Sequence, residues 1–344
     1  MTTLTQPLHG APALHVSRGS RTSAIGGLCF AALVVVMAAY VPFHFSLGTL
    51  TDLVGLFSLI ILGTTWNLLA GYGGLVSIGQ QAFIGAGGYA VIKLADAAGL
   101  PIVLAVLLAG AVCGVLAYPT SYLLFRLVGG YLAIGTWVVA EVFKLVTTQI
   151  DSLGGGSGLS LMVFREDGTS RIARIGTVYW LALTIAVLVV LATYLLMRSR
   201  LGLGLTAIRD NPTAASSLGV AVQRSRRIVY VAASAGVGLA GALIATSSLR
   251  VTPDSIYSVN YTAYMIFIVV IGGLGTIEGP ILGAIVFYVL QQELASHGTW
   301  YLVVLGAVAI AVVLAAPKGL WGLLSGDGRL EVFPIGHTVR APAR

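Results

Sequence analysis

Apolar residues fall in long runs separated by short polar or glycine-rich stretches. A bilayer core of roughly 30 Å takes about 20 helical residues per crossing. Eight runs meet that need, at about 24–42, 52–71, 101–125, 129–149, 177–197, 228–249, 279–296 and 300–316. Two more, about 74–95 and 262–275, are short or glycine-interrupted, and can be crossings, re-entrant segments or broken helices. The pattern predicts an all-α, polytopic membrane bundle of about ten helices, with eight as the lower count.

Composition agrees: 57% hydrophobic and 9% charged residues over 344 positions leave too little polar material to cover a water-soluble globule. The net charge of +7 acts mainly as a topology signal. Arg198, Arg200, Arg209, Arg224, Arg226 and Arg227 share one loop, 198–227, which the positive-inside rule places in the cytoplasm. Arg18 and Arg21 before the first run, and Lys318, Arg329, Arg340 and Arg344 after the last, predict cytoplasmic tails at 1–23 and 317–344 around a membrane-spanning body at 24–316. Ten crossings then put the segment 150–175, with Asp151, Glu166 and Asp167, on the opposite, periplasmic face, with Arg250 and Asp254. The first apolar run reads as an uncleaved signal-anchor. Because the arginines flank membrane segments without interleaved aromatics, nucleic acid is not an expected partner, whereas lipid is.

No catalytic constellation emerges. None of the three lysines, Lys93, Lys144 and Lys318, follows a glycine, so the chain has no P-loop. The five histidines are scattered without metal-binding spacing, no G-x-S-x-G elbow occurs, and Cys29 and Cys113 fall inside apolar runs. No enzyme activity, cofactor or metal is expected on this chain, which reads as a conduit or scaffold.

The loop RSRLGLGLTAIRDNPTAASSLGVAVQRSRR carries the clearest local signal. Asp210 or Asn211 can cap a helix beginning at Pro212, the run Thr213–Leu218 continues it, and Gly219 stops it. The resulting two-turn helix, with small residues Ala214, Ala215 and Ser216, suits a groove on another protein, although a solvated connector is an equal alternative on the physics alone.

AIRDNPTAASSLGV resembles the cytoplasmic coupling loop of bacterial ABC importer permeases, in which Glu-Ala-Ala is followed three residues later by Gly. Ala214, Ala215 and Gly219 hold the matching positions, and Thr213 stands where the general motif has Glu. Across most of its length the chain resembles the permease family of branched-chain amino-acid ABC transporters, through WNLLAGYGGLVSIGQQAFIGAGGYA (66–90), EVFKLV (141–146), GGGSGL (154–159), AGVGLAGALIA (235–245), VIGGLGTIEGPILGA (270–284) and APKGLWGLL (316–324). The resemblance implies a bacterial inner-membrane subunit paired with a second, related permease. It further implies two cytoplasmic ATP-binding subunits, which would hold the ATP and Mg, and a periplasmic amino-acid-binding protein. The expected cargo is leucine, isoleucine or valine, with urea or a short amide as the alternative within the family and an ion-coupled secondary transporter as the alternative outside it.

The stretch GYGGLVSIGQQAFIGAGGYA has small residues at four-residue spacing, Gly73 and Ser77, then Ala82, Ala86 and Ala90, as the run from Ala232 to Ala242 also does. Such spacing lets helices approach closely in lipid. A second reading unwinds Gly71–Gly79 near a pathway and makes Gly73, Gly74, Ser77, Gln80 and Gln81 its polar lining. GGLVSIG at 73–79 has an echo in GGLGTIEG at 272–279, through duplication or chance. Glu141 and Lys144, at i and i+3 inside an apolar run, are expected to pair, with contact to the partner permease as the alternative.

Overall fold

The apolar runs form helices whose starts are set by polar caps, as backbone N–H groups at a helix end require. The computed structural model describes residues 15–17, 21–166, 168, 170–294, 300–325, 332–334 and 338–340. Expectations placed on Arg18, Asp167, Arg329 and Arg344 lie outside these residues, as does much of both expected tails.

The long helices are α1 (Arg21–Ala39), α2 (Leu47–Asn67), α3 (Gln81–Ile92), α4 (Ile102–Leu124), α5 (Gly130–Gln149) and α6 (Arg171–Arg198). Two short ones follow, α7 (Arg200–Asp210) and α8 (Pro212–Ser217). The chain continues with α9 (Val222–Ser248), α10 (Asn260–Gly272), α11 (Glu278–Leu294) and α12 (Trp300–Ala315). Ser46 accepts from the Thr49 N–H at 3.2 Å and Ser170 from the Ala173 N–H at 3.2 Å, starting α2 and α6. Eight helical stretches among the described residues are long and apolar enough to cross a membrane.

Two details depart from the expected runs. The segment expected over 74–95 is helical only from Gln81: α2 widens into a π-helical turn at Leu68–Tyr72, and residues 73–80 are unwound. Gly74 holds a left-handed φ of +64° there, which a side chain would resist. The run 279–296 is described as α11 over Glu278–Leu294, and the shorter expectation at 262–275 becomes, with the turn Pro253–Ile256, one of the eight.

α9 lies at the centre and packs against α2, α3 and α4. Small residues make this possible. A Cβ at Gly241 would overlap the Ile84 carbonyl of α3, one at Gly238 would overlap Cys113 of α4, and one at Gly236 would press on Thr65 of α2. In lipid such close fit replaces the hydrophobic effect as the source of helix association. The four-residue spacing therefore does the packing work expected of it.

Two opposite ends result. At one, α7 and α8 meet the π-helical end of α2 and the loop between α10 and α11. Glu278 of that loop accepts from the Val332 and Phe333 N–H groups at 3.0 and 2.7 Å, and His15–Ser17 pairs antiparallel with Thr338–Arg340. Val332 and Phe333 thus lie at the end that carries α7 and α8. At the other end Leu159–Ser160 pairs with Arg250–Val251, and the Asp96 carboxylate accepts from the Met162 and Val163 N–H groups at 2.9 and 2.8 Å.

Candidate functional site

α7 is amphipathic and short: Gly202, Leu205 and Ile208 are buried at three-residue spacing, which seats it on the bundle. Asn211 then breaks the helix with an extended backbone and caps α8, its Oδ1 accepting from the Thr213 and Ala214 N–H groups, both at 3.0 Å. The expected choice between Asp210 and Asn211 resolves to Asn211, while Asp210 pairs with Arg209 at 3.2 Å on the surface. Pro212 opens the helix and Gly219, at φ +83°, lies just past its end. Ala215 is buried, whereas Thr213, Ala214 and Leu218 face outward. Leu218 is 82% exposed, and the motif offered no hint of it; the signal available was a large apolar residue directly before the terminating glycine.

Arg209 ties this element to the bundle. Its Nη1 donates to the Gly71 carbonyl at 2.8 Å, and its backbone and aliphatic stem cover Gly74, where an added Cβ would lie 3.3 Å away. Next to it, Asn67 Oδ1 accepts from the Gly275 N–H at 2.8 Å and Nδ2 donates to the Thr276 carbonyl at 2.7 Å. Asn67, at the end of α2, thus binds the second glycine-rich stretch directly, at Gly275 and Thr276, and Arg209 borders Gly71, Gly74 and Gly275. Asn67 sits in the quoted WNLLAG run, a lone amide among apolar residues, and that isolation was its signal.

The expected lining residues lie deeper. Gln80 and Gln81 are completely buried where the unwound segment becomes α3. Gln80 Nε2 donates to Ser77 Oγ at 3.3 Å, and Gln81 Oε1 accepts from Thr262 Oγ1 of α10. Trp66 Nε1 holds the Ser77 carbonyl at 2.9 Å, and the Ile78 N–H is held by Thr136 Oγ1 at 3.0 Å. Gln80 Oε1 and Gln81 Nε2 have no hydrogen-bond partner among the described residues, a costly state for buried amides. Gly73, Ser77, Gln80 and Gln81 are buried within the chain, and Gly74 is exposed beside Arg209.

The expected Glu141–Lys144 pair is replaced. Lys144 Nζ reaches Asp254 Oδ1 at 2.7 Å, bridging α5 to the turn Pro253–Ile256, and Glu141 acts on Lys144 only through its longer-range charge. The reason is geometric: the turn brings Asp254 to the lysine head, and a bond across elements adds to the Thr147–Tyr257 hydroxyl contact at 2.9 Å. Glu141 remains exposed on α5.

A cavity of about 520 Å³ opens at the end away from α7 and α8. It follows α2 from Thr51 and Asp52 to Ser58 and Leu62, a rise of about 16 Å. Across from α2 it is bounded by Asp254, Asn260 and Tyr261, next in sequence to the Thr262 that holds Gln81. Cavity, glutamine block and arginine clasp therefore succeed one another along the bundle. Asp52, exposed near the start of α2, stands in the cavity wall.

A model of the family described as branched-chain amino acid transport system / permease component matches residues 48–313. The chain belongs to that family. The match takes in every residue of the clasp, the glutamine block and the cavity named above. Among curated relatives, this permease is 27% identical over 315 residues to the high-affinity branched-chain amino acid transport system permease protein LivM of Escherichia coli strain K12, covering 85% of this chain and 74% of the relative. It is 28% identical to the protein of the same name from Salmonella typhimurium, covering 84% and 73%. A probable branched-chain amino acid transport permease protein LivH from Methanocaldococcus jannaschii is 26% identical over 151 residues, covering 40% of this permease and 46% of that relative. No solved structure matches the permease.

Proposed function

We propose that this permease is one of two membrane-spanning subunits of an ATP-driven importer of branched-chain amino acids, in a bacterial inner membrane. The observation that carries the reading is the Arg209–Gly71 bond, which fastens the coupling element to the unwound part of the membrane bundle. α8, capped by Asn211 and ended at Gly219, presents Leu218 and Ala214 to a groove on a cytoplasmic ATP-binding subunit; two such subunits hold the ATP and Mg. A second, related permease completes the membrane unit, and a periplasmic binding protein delivers the amino acid. The family match and the LivM relatives support the cargo class.

Movement of α8 on ATP binding carries Arg209 with it, and Arg209 carries the Gly71 carbonyl and the segment that ends at Gln80 and Gln81. Those glutamines separate the cavity from the coupling end. Shifting the segment exchanges which end is open, the alternating access expected of a transporter with a broken helix. The aliphatic groups of Leu59, Leu62 and Ile244 in the cavity favour a branched-chain side chain over urea.

The test is uptake by proteoliposomes holding the assembled complex. Leucine uptake that needs lumenal ATP and an external leucine-binding protein supports the reading; uptake by this chain alone on an ion gradient, or preference for urea, refutes it.

A further inference from the structure

Two carboxylates face the 520 Å³ cavity, Asp52 from the first turns of α2 and Asp254 from the turn before α10. They are not equivalent. Asp254 already has its cation, Lys144 at 2.7 Å, whereas Asp52 makes no ion pair or hydrogen bond with any described residue. The wall is otherwise uncharged: hydroxyls of Ser255 and Ser258, the Asn260 amide, tyrosine rings, and the aliphatic Leu59, Leu62 and Ile244 below. A cavity with one uncompensated negative charge at the rim and alkyl groups in its depth suits a cation with an apolar body. The Tyr261 and Tyr264 rings, 6.0 Å apart and edge to face, add π surfaces that attract an ammonium group. A bare metal ion is poorly served, because no group of three His, Cys, Asp or Glu converges anywhere among the described residues.

We infer that this cavity is a binding site for the α-ammonium end of an aliphatic amino acid, held by Asp52 with the side chain lying against Leu59 and Ile244. The site is distinct from the segment of Gln80 and Gln81 and lies directly above it, so it receives the amino acid before that segment moves. The inference rests on the importer reading for the identity of the ligand, and its ammonium selectivity is a property of this chain's own residues.

The experiment uses the assembled complex with Ser255→Cys as an exposed reporter in the cavity wall, its modification by a small thiol reagent followed by mass spectrometry of that peptide. Leucine and leucinamide, which keep the ammonium group, are expected to slow modification at least threefold at millimolar concentration, while 4-methyl-2-oxopentanoate, which lacks it, leaves the rate unchanged. Asp52→Asn should abolish the protection, and Asp52→Glu should retain it. In transport, Asp52→Asn should cut leucine uptake at least tenfold with stimulation of ATP hydrolysis by the loaded binding protein intact. Protection by the oxo acid equal to that by leucinamide, no protection by leucine, or an indifferent Asp52→Asn overturns the inference. Ammonium-dependent protection without ATP-driven uptake leaves the cavity assignment standing and instead refutes the importer reading.

Discussion

The Arg209 guanidinium donates to the Gly71 carbonyl at 2.8 Å across 138 positions of sequence. Gly71 closes a π-helical turn, so its carbonyl lies where the regular helical bonding of α2 fails. A charge-assisted bond to that carbonyl contributes about 1.5–3 kcal/mol and satisfies an acceptor that the broken helix leaves exposed. Arg209 thus holds α7 to the turn at which α2 departs from the regular helix.

Leu218 is an exposed apolar residue on a short capped helix, a signature of a surface that another protein covers. Leu218→Ser should leave the melting temperature of the isolated permease within about 1 °C, because the side chain packs on nothing. Affinity for the ATP-binding subunits should fall about tenfold or more, as loss of one buried leucine anchor implies. Co-purification and titration of the ATP-binding subunits measure both.

Asn211 supplies two cap bonds to α8. Asn211→Ala should cost about 1 kcal/mol of local helix stability, and Asn211→Ser should recover most of it. Faster amide exchange confined to 212–218 in the alanine variant checks this directly.

Gly79 lies against the Thr136 carbonyl, with no room for a Cβ, whereas Gly156 faces open space. Gly79→Ala should destabilise the permease by about 1–3 kcal/mol, or more if the backbone cannot yield. Gly156→Ala should be neutral within about 0.5 kcal/mol. Thermal unfolding in detergent distinguishes them.

Asn67 accepts from the Gly275 N–H and donates to the Thr276 carbonyl. Asn67→Asp keeps the acceptor for the Gly275 N–H and turns a donor into an oxygen facing the Thr276 carbonyl. The loss should be about 1–3 kcal/mol and should grow as the new carboxylate ionises, so that stability falls as pH rises. Unfolding of this variant at pH 5 and pH 8 gives the sign.

Much of the architecture was legible in the sequence because the bilayer sets a length for each apolar run, and the cap of α8 was legible because Asn, Pro and Gly each carry a local backbone preference. The tertiary partners were not. Lys144 has Glu141 at helical spacing in the sequence, yet its head meets Asp254, 110 positions away, since the turn Pro253–Ile256 folds onto α5. Gln81 meets Thr262, 181 positions away, a partner that no local pattern marks. Asn67 binds Gly275 and Thr276 across 208 and 209 positions, which no local pattern marks. Asp52 shares a cavity with Asp254 only once the chain is folded.

The most direct test of the account is the number of leucine molecules taken up per ATP hydrolysed by the reconstituted complex with Arg209 and with Arg209→Ala. The account predicts that the variant assembles and hydrolyses ATP at a rate close to that of the parent, while leucine uptake per ATP falls at least tenfold. An unchanged ratio would contradict it, because the coupling element would then drive the membrane bundle without its bond to Gly71.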